Sequence, residues 1–314
     1  MKIAILALNP CLDRTLVLHQ PLAVGGNHRA AAVSEVAAGK GLNQAVVFEH
    51  LGTLCDYFSF GSQKTGDKTD EWIARHHFRY HKTPTACGVR VNIKIVDASG
   101  AGTEINEAGG PVTAAELEKI LSDLDTFDGE IVSVCGSVPR GVRASVYRDV
   151  IARAKNSGKI TVLDADGEAL RIGLEACPDY IKPNRRELSE LVGQKESDLC
   201  TDEAIRAAAM QIVQAYGTNV LCTMDADGSM YVGREGAFRV GAAKVEPRGF
   251  SGAGDTYLAA FLYARYVQGA DVPAALSYAA RASGAKVALE GTKLPTREQI
   301  DKVAPVSVFS MARN

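Results

Sequence analysis

Apolar runs and helix-like periods alternate along most of this chain. Residues 2–8 form a nearly unbroken apolar run that reads as a buried strand, and shorter runs of the same kind fall at 131–135, 160–163, 180–181 and 220–223. Between them lie helically spaced segments at 41–51, stopped by Gly52, and at 143–155, 185–191 and 202–215. Two long helical segments, 253–267 and 273–289, close the chain. This rhythm predicts a mostly parallel sheet with helices on both faces. Two pieces break it. Residues 14–36 lack a helical period and read as short strands. In GVRVNIKIVD (88–97), Val89, Val91, Ile93 and Ile95 alternate with Arg90, Asn92 and Lys94, which gives one apolar face and one polar, basic face. Together these pieces predict a small β lid on an α/β body.

Charge and composition narrow the function classes. The 314 residues include 35 Lys and Arg against 37 Asp and Glu, a net charge of -2, which points away from nucleic acid and membrane surfaces as partners. Positive charge that serves an anionic ligand must therefore be local. The seven cysteines are scattered and form no C-x-x-C pair, as expected of a reduced, cytoplasmic protein with buried thiols. The first apolar run is short and broken by Asn9-Pro10, unlike a signal peptide, and no run approaches the ~18 residues of a membrane span.

Four stretches carry candidate chemistry. Gly252-Ala253-Gly254-Asp255 opens an apolar helix, where free N–H groups and the helix dipole favour an anion. Asp255 there either caps the helix or faces a ligand, and both fit the residues alone. Gly39-Lys40-Gly41-Leu42-Asn43 opens another helix and places a cation and an amide together, or makes a tight turn with a solvated lysine. In Lys182-Pro183-Asn184-Arg185-Arg186-Glu187, Asn184 and Glu187 fit either a capping box or the neighbourhood of magnesium and phosphate. Asp13, just past the first strand, lies where open α/β sheets bind ligands. His77 and His81 stand four apart without the glutamate of a metalloprotease motif. Neither a dinucleotide fingerprint nor a Walker A loop is present: Tyr257 stands three after Gly254, and 61–68 reads GSQKTGDK.

With AAGKGLN, TEINEAGG, CGSVPRGV, KPNRREL and GAGD in one chain, the sequence resembles the ribokinase-like sugar kinases of the phosphofructokinase B family. It looks most like the branch of 1-phosphofructokinases and tagatose-6-phosphate kinases. The resemblance implies an α/β fold, a Rossmann-type αβα sandwich, as a single kinase domain over 1–314 with a β lid from about 12–36 and 86–106. It implies ATP with Mg2+, a phosphorylated ketose such as fructose 1-phosphate, and a homodimer joined through the lid. A monovalent cation near Gly291 is left open. Asp255 would be the catalytic base, with Gly252, Ala253 and Gly254 as the anion hole. Asp13, Gly39, Lys40, Asn43 and Arg90 would hold the sugar phosphate, with Arg29 or Arg140 assisting. Lys182, Asn184, Thr223 and Gly228 would line the nucleotide side, and Glu187 would hold Mg2+ through water. Tagatose 6-phosphate or fructose 6-phosphate is the alternative acceptor. A non-catalytic sugar-phosphate or nucleotide sensor is the alternative class, kept open by Asp225, which stands where the family has a glycine.

Overall fold

The computed structural model describes residues 1–100 and 102–311. The chain opens with strands β1 (Ile3–Ala7), β2 (Cys11–Leu18) and β3 (Ala30–Ala38), helix α1 (Lys40–His50), β4 (Cys55–Ser62) and α2 (Lys68–Ile73). Strands β5 (Arg79–Thr85), β6 (Arg90–Val96) and β7 (Gly102–Asn106) follow, then α3 (Ala114–Asp125), β8 (Ile131–Cys135), α4 (Val146–Asn156), β9 (Ile160–Asp164) and α5 (Gly167–Leu174). After these come β10 (Tyr180–Ile181), α6 (Arg185–Leu191), α7 (Asp202–Tyr216), β11 (Asn219–Thr223), β12 (Ser229–Gly233) and β13 (Gly236–Val240). The last elements are α8 (Ala253–Leu262), α9 (Val272–Val287), α10 (Arg297–Lys302) and β14 (Val308–Met311).

The large sheet runs β14-β13-β12-β11-β10-β9-β8-β1-β4-β5, parallel from β11 to β5 and antiparallel from β11 to β14. Alternate residues of β1, and Leu8 just after it, feed two separate cores. Ile3, Ile5 and Ala7 pack with α1, α8 and α9, while Ala4, Leu6 and Leu8 pack with α3 to α7 on the other face. A second sheet, β3-β2-β6-β7, is mixed, because β2 pairs parallel with β6 while both outer pairs are antiparallel.

The apolar pattern misses several elements. Strands β4 and β5 carry polar and aromatic residues that hide their period; His81 lies on β5, so it shares no helix face with His77, and it bonds Asp56 on β4 at 2.7 Å. The chain does not close on two helices, since α10 and β14 follow, and β14 extends the sheet edge. The predicted helix 253–267 is α-helical only to Leu262. Its last turn is a π-turn in which Gln268 N donates to Tyr263 O. The thiols are also more varied than expected: Cys11, Cys55, Cys135 and Cys222 are buried, but Cys87 and Cys200 are exposed. Among the described residues no helix is long and apolar enough to cross a membrane.

Candidate active site

Strand β1 lies between β4 and β8, so the chain order reverses there, and crevices form beyond the carboxyl ends of such strands. A cavity of about 580 Å³ opens at this point. Its floor includes Asn9 after β1, Ser137 after β8 and Asp255 in the first turn of α8, and its roof is the polar face of the second sheet. Of the sequence candidates, Asp13, Gly39, Lys40, Asn43, Arg90, Gly252 and Asp255 all line it. Arg29 and Arg140 are exposed and do not line it.

Asp255 is buried, and its Oδ2 accepts from Asn43 Nδ2 at 2.7 Å. Gly252 precedes α8 at φ 88°, a left-handed conformation that suits glycine, and a Cβ there would stand 3.3 Å from the Asn43 amide nitrogen. A Cβ on Gly254 would lie 3.2 Å from Lys182 Nζ. The first turn of α8 thus runs close to both partners, with Ala253 at its start.

Asp164, at the end of β9, organises the charges behind Asp255. It is fully buried and receives Lys40 Nζ at 2.9 Å and Lys182 Nζ at 3.3 Å on one oxygen. Its other oxygen, Oδ2, has no hydrogen-bond partner among the described residues. Burial alone would raise its pKa, but Lys182 and Lys40 outweigh that and hold it below the ordinary range. Asp255 shifts the other way. Burial raises it and the Asp164 carboxylate adds to the rise, while Lys182, Lys40 and the Asn43 amide offset only part. Burial would lower Lys40, but Asp164, Glu187 and Asp255 reverse that and keep it firmly protonated.

The roof is built from alternate residues of β2 and β6. Asp13 pairs with Lys94 Nζ at 2.7 Å and accepts from Asn92 Nδ2 at 3.2 Å. Lys94 Nζ also donates to Ser251 Oγ at 2.7 Å, which ties the roof to the segment leading into α8. Arg90 spends part of its fork on backbone, donating to Asn9 O at 3.3 Å and Glu107 O at 2.8 Å.

The remaining candidates lie beside this cavity. Asn184 and Glu187 form a capping box on α6: Glu187 N donates to Asn184 Oδ1 at 2.8 Å and Asn184 N to Glu187 Oε2 at 2.9 Å. Thr223 ends β11 and bridges to Asn184. Gly228 sits in the turn after β11 at φ 91°, where a Cβ would meet Val240 O at 2.3 Å, so packing by itself requires glycine there. Asp225, in the same turn, has φ 50°, a left-handed conformation that residues other than glycine seldom adopt. Its neighbour Asp227 pairs with Arg185 at 2.6 Å.

Reasoning from sequence passed over Lys94, Asn92, Ser251 and the pairing role of Asp164. Lys94 and Asn92 were visible as the polar face of a strand, but nothing local said which way that face would turn. Asp164 ends a largely apolar strand, but its lysine partners are distant in sequence and gave no local sign of the pairing.

This fold and cavity define a class, and the whole-chain comparisons agree. Residues 6–299 match the pfkB family of carbohydrate kinases, and the chain belongs to that family. It is 30% identical over 302 residues to 1-phosphofructokinase of Vibrio cholerae serotype O1, covering 96% of this chain and 94% of that protein. Phosphofructokinase-2 from Escherichia coli, solved with substrates and products, superposes with a TM-score of 0.89 at 25% identity, over 96% of this chain and 98% of that one. The same enzyme solved in complex with potassium gives a TM-score of 0.88 at 25% identity, over 96% and 97% of the two chains.

Proposed function

We propose that this chain transfers the γ-phosphoryl of ATP to the carbon 6 hydroxyl of fructose 1-phosphate, with Asp255 as the base. The observation that carries this reading is a buried carboxylate in the first turn of α8 at the edge of a cavity shared with Asn43, Lys40 and Arg90. An aspartate is too weak to ionise an alcohol beforehand. Asp255 therefore orients the hydroxyl and takes its proton as the oxygen bonds to phosphorus and the bond to ADP breaks. Its raised pKa makes it a better acceptor at that moment. The amides of Gly252, Ala253 and Gly254 face the charge that builds on the transferred group. Asp13, Gly39 and Asn43 hold the sugar, and Arg90 and Lys40 hold its phosphate. Lys182, Asn184, Thr223 and Gly228 lie on the nucleotide side.

Mg2+ fits this donor set. It prefers one or two carboxylates with several waters, and Glu187, whose charge acts on Lys40 beside the cavity, would hold it through water. When bound, the ion neutralises charge on the transferred phosphates. The chain would work as one unit over 1–314 in the cytoplasm, paired with a second copy through the outer face of its lid. The test is a panel of acceptors with Mg·ATP: fructose 1-phosphate should give the highest kcat/KM, ahead of fructose 6-phosphate, tagatose 6-phosphate and free fructose. A preference for tagatose 6-phosphate would overturn the acceptor assignment, and ATP turnover with none of them would favour a sensor.

A further inference from the structure

Lys286 has no role in the chemistry above, yet it is one of the most enclosed charged groups in the molecule. It has no solvent exposure and sits in the last turn of α9. Its Nζ donates to Gly291 O at 3.0 Å and to Gly249 O at 3.4 Å. Taking an ammonium out of water is costly unless fixed dipoles replace the solvent. Here two backbone carbonyls and the negative end of α9 do so. Burial, and then the Lys94 ammonium, lower its pKa to about 8, which leaves it mainly protonated at neutral pH.

The two carbonyls belong to different segments. Gly249 begins the stretch that runs through Ser251 into α8, and Gly291 lies in the turn after α9. These segments are pressed together. Arg248 N and Gly249 N both donate to Val287 O, at 2.8 and 3.1 Å, and a Cβ on Gly249 would meet Leu289 O at 2.6 Å and Gly291 O at 2.8 Å. Further along, Ala253 N donates to Phe250 O at 3.1 Å, so the placement of Gly249 is passed to the start of α8. Carbonyl oxygens converging on a buried point are the ligands that hold a dehydrated monovalent cation. In the present chain the carbonyls flanking the α8 entry already hold a cation, and it is covalently attached.

We propose that the Lys286 ammonium is a built-in monovalent cation, which clamps the Gly249 and Gly291 carbonyls and positions the amides of Gly252, Ala253 and Gly254 without bound potassium. Lys286 touches no reacting atom and is a positioning residue. Unlike a free ion, it need not be collected from solvent, so the α8 entry stays formed whatever salt is present.

The inference rests on the kinase reading only for its activity readout; melting supplies one that does not. The full chain is assayed with the best acceptor of the panel in buffers whose sole monovalent cation is potassium, ammonium or tetramethylammonium. Wild-type kcat should agree within about twofold across all three. Lys286→Ala should lose about tenfold or more in kcat with little change in KM, and potassium or ammonium should restore much of it. Lys286→Met, which fills the space without charge, should not be restored. The melting temperature of Lys286→Ala should rise with added potassium while that of the wild type does not, because only the variant gains a ligand. A wild type that needs potassium for activity overturns the proposal, and this arm stands even if the variants do not fold. A folded Lys286→Ala that responds to neither cation overturns it as well.

Discussion

As the proposed base, Asp255 would set function against stability. Burial and the Asp164 carboxylate hold its pKa above the usual aspartate range. A carboxyl raised in this way contributes stability that is fully present below its unfolded value of about 3.9 and is lost as pH rises through the folded value. At neutral pH its ionised form is therefore a cost. Asp255→Asn should lower kcat by roughly 10²-fold or more with nearly unchanged sugar-phosphate KM, and should melt at a higher temperature than wild type at pH 7. Near wild-type kcat would remove Asp255 as the base; a lower melting point would mean that its contacts with Asn43 outweigh its desolvation. Much of this residue's surroundings was legible from the chain: the glycines, the helix start and the likeness of GAGD to a known family all pointed to it. Asp164 was not, because a buried acid becomes informative only once Lys40 and Lys182, far apart in sequence, are seen on the same oxygen.

At the scale of an element, strand β6 carries the clearest division of labour. Its alternation was legible in sequence and sorts as the period of two requires. Arg90, Asn92 and Lys94 line the cavity, while Ile93 and Ile95 fall on the opposite face. Which face would meet the body was not legible, since that depends on the parallel pairing of β6 with β2 across a long stretch of chain. Arg90→Ala should raise the KM for the sugar phosphate by about tenfold to a hundredfold, the worth of a hydrogen bond to a charged group, and leave the KM for ATP near its wild-type value. A change confined to ATP would place Arg90 elsewhere. Other elements were hidden for plain reasons. Strand β5, RYHKTPT, has neither an apolar run nor a clean alternation and is held as a strand by its pairing with β4.

Across the whole molecule, the outward face of the lid sheet is the main unpaired apolar surface of that sheet. Val33 and Ile105 are 58% and 55% exposed, and Leu16, Ile93 and Ile95 fall between them in the register. Light scattering at micromolar concentration should give twice the chain mass, and the double substitution Val33→Lys with Ile105→Lys should return it to a single chain. A wild type that scatters as one chain under those conditions would remove the dimer. The body and the cavity are also joined across great sequence distance: Asn43 and Asp255, which share a hydrogen bond, are 212 residues apart. Synthesis runs at about 5–20 residues per second, so a growing chain carries Asn43 for roughly 10–40 s before its partner is even made. A fragment that stops short of residue 255 cannot hold the complete site. With Asp255 as the proposed base, a chain cut short before that residue would be without phosphoryl transfer, so the order in which the sequence emerges sets when activity can begin.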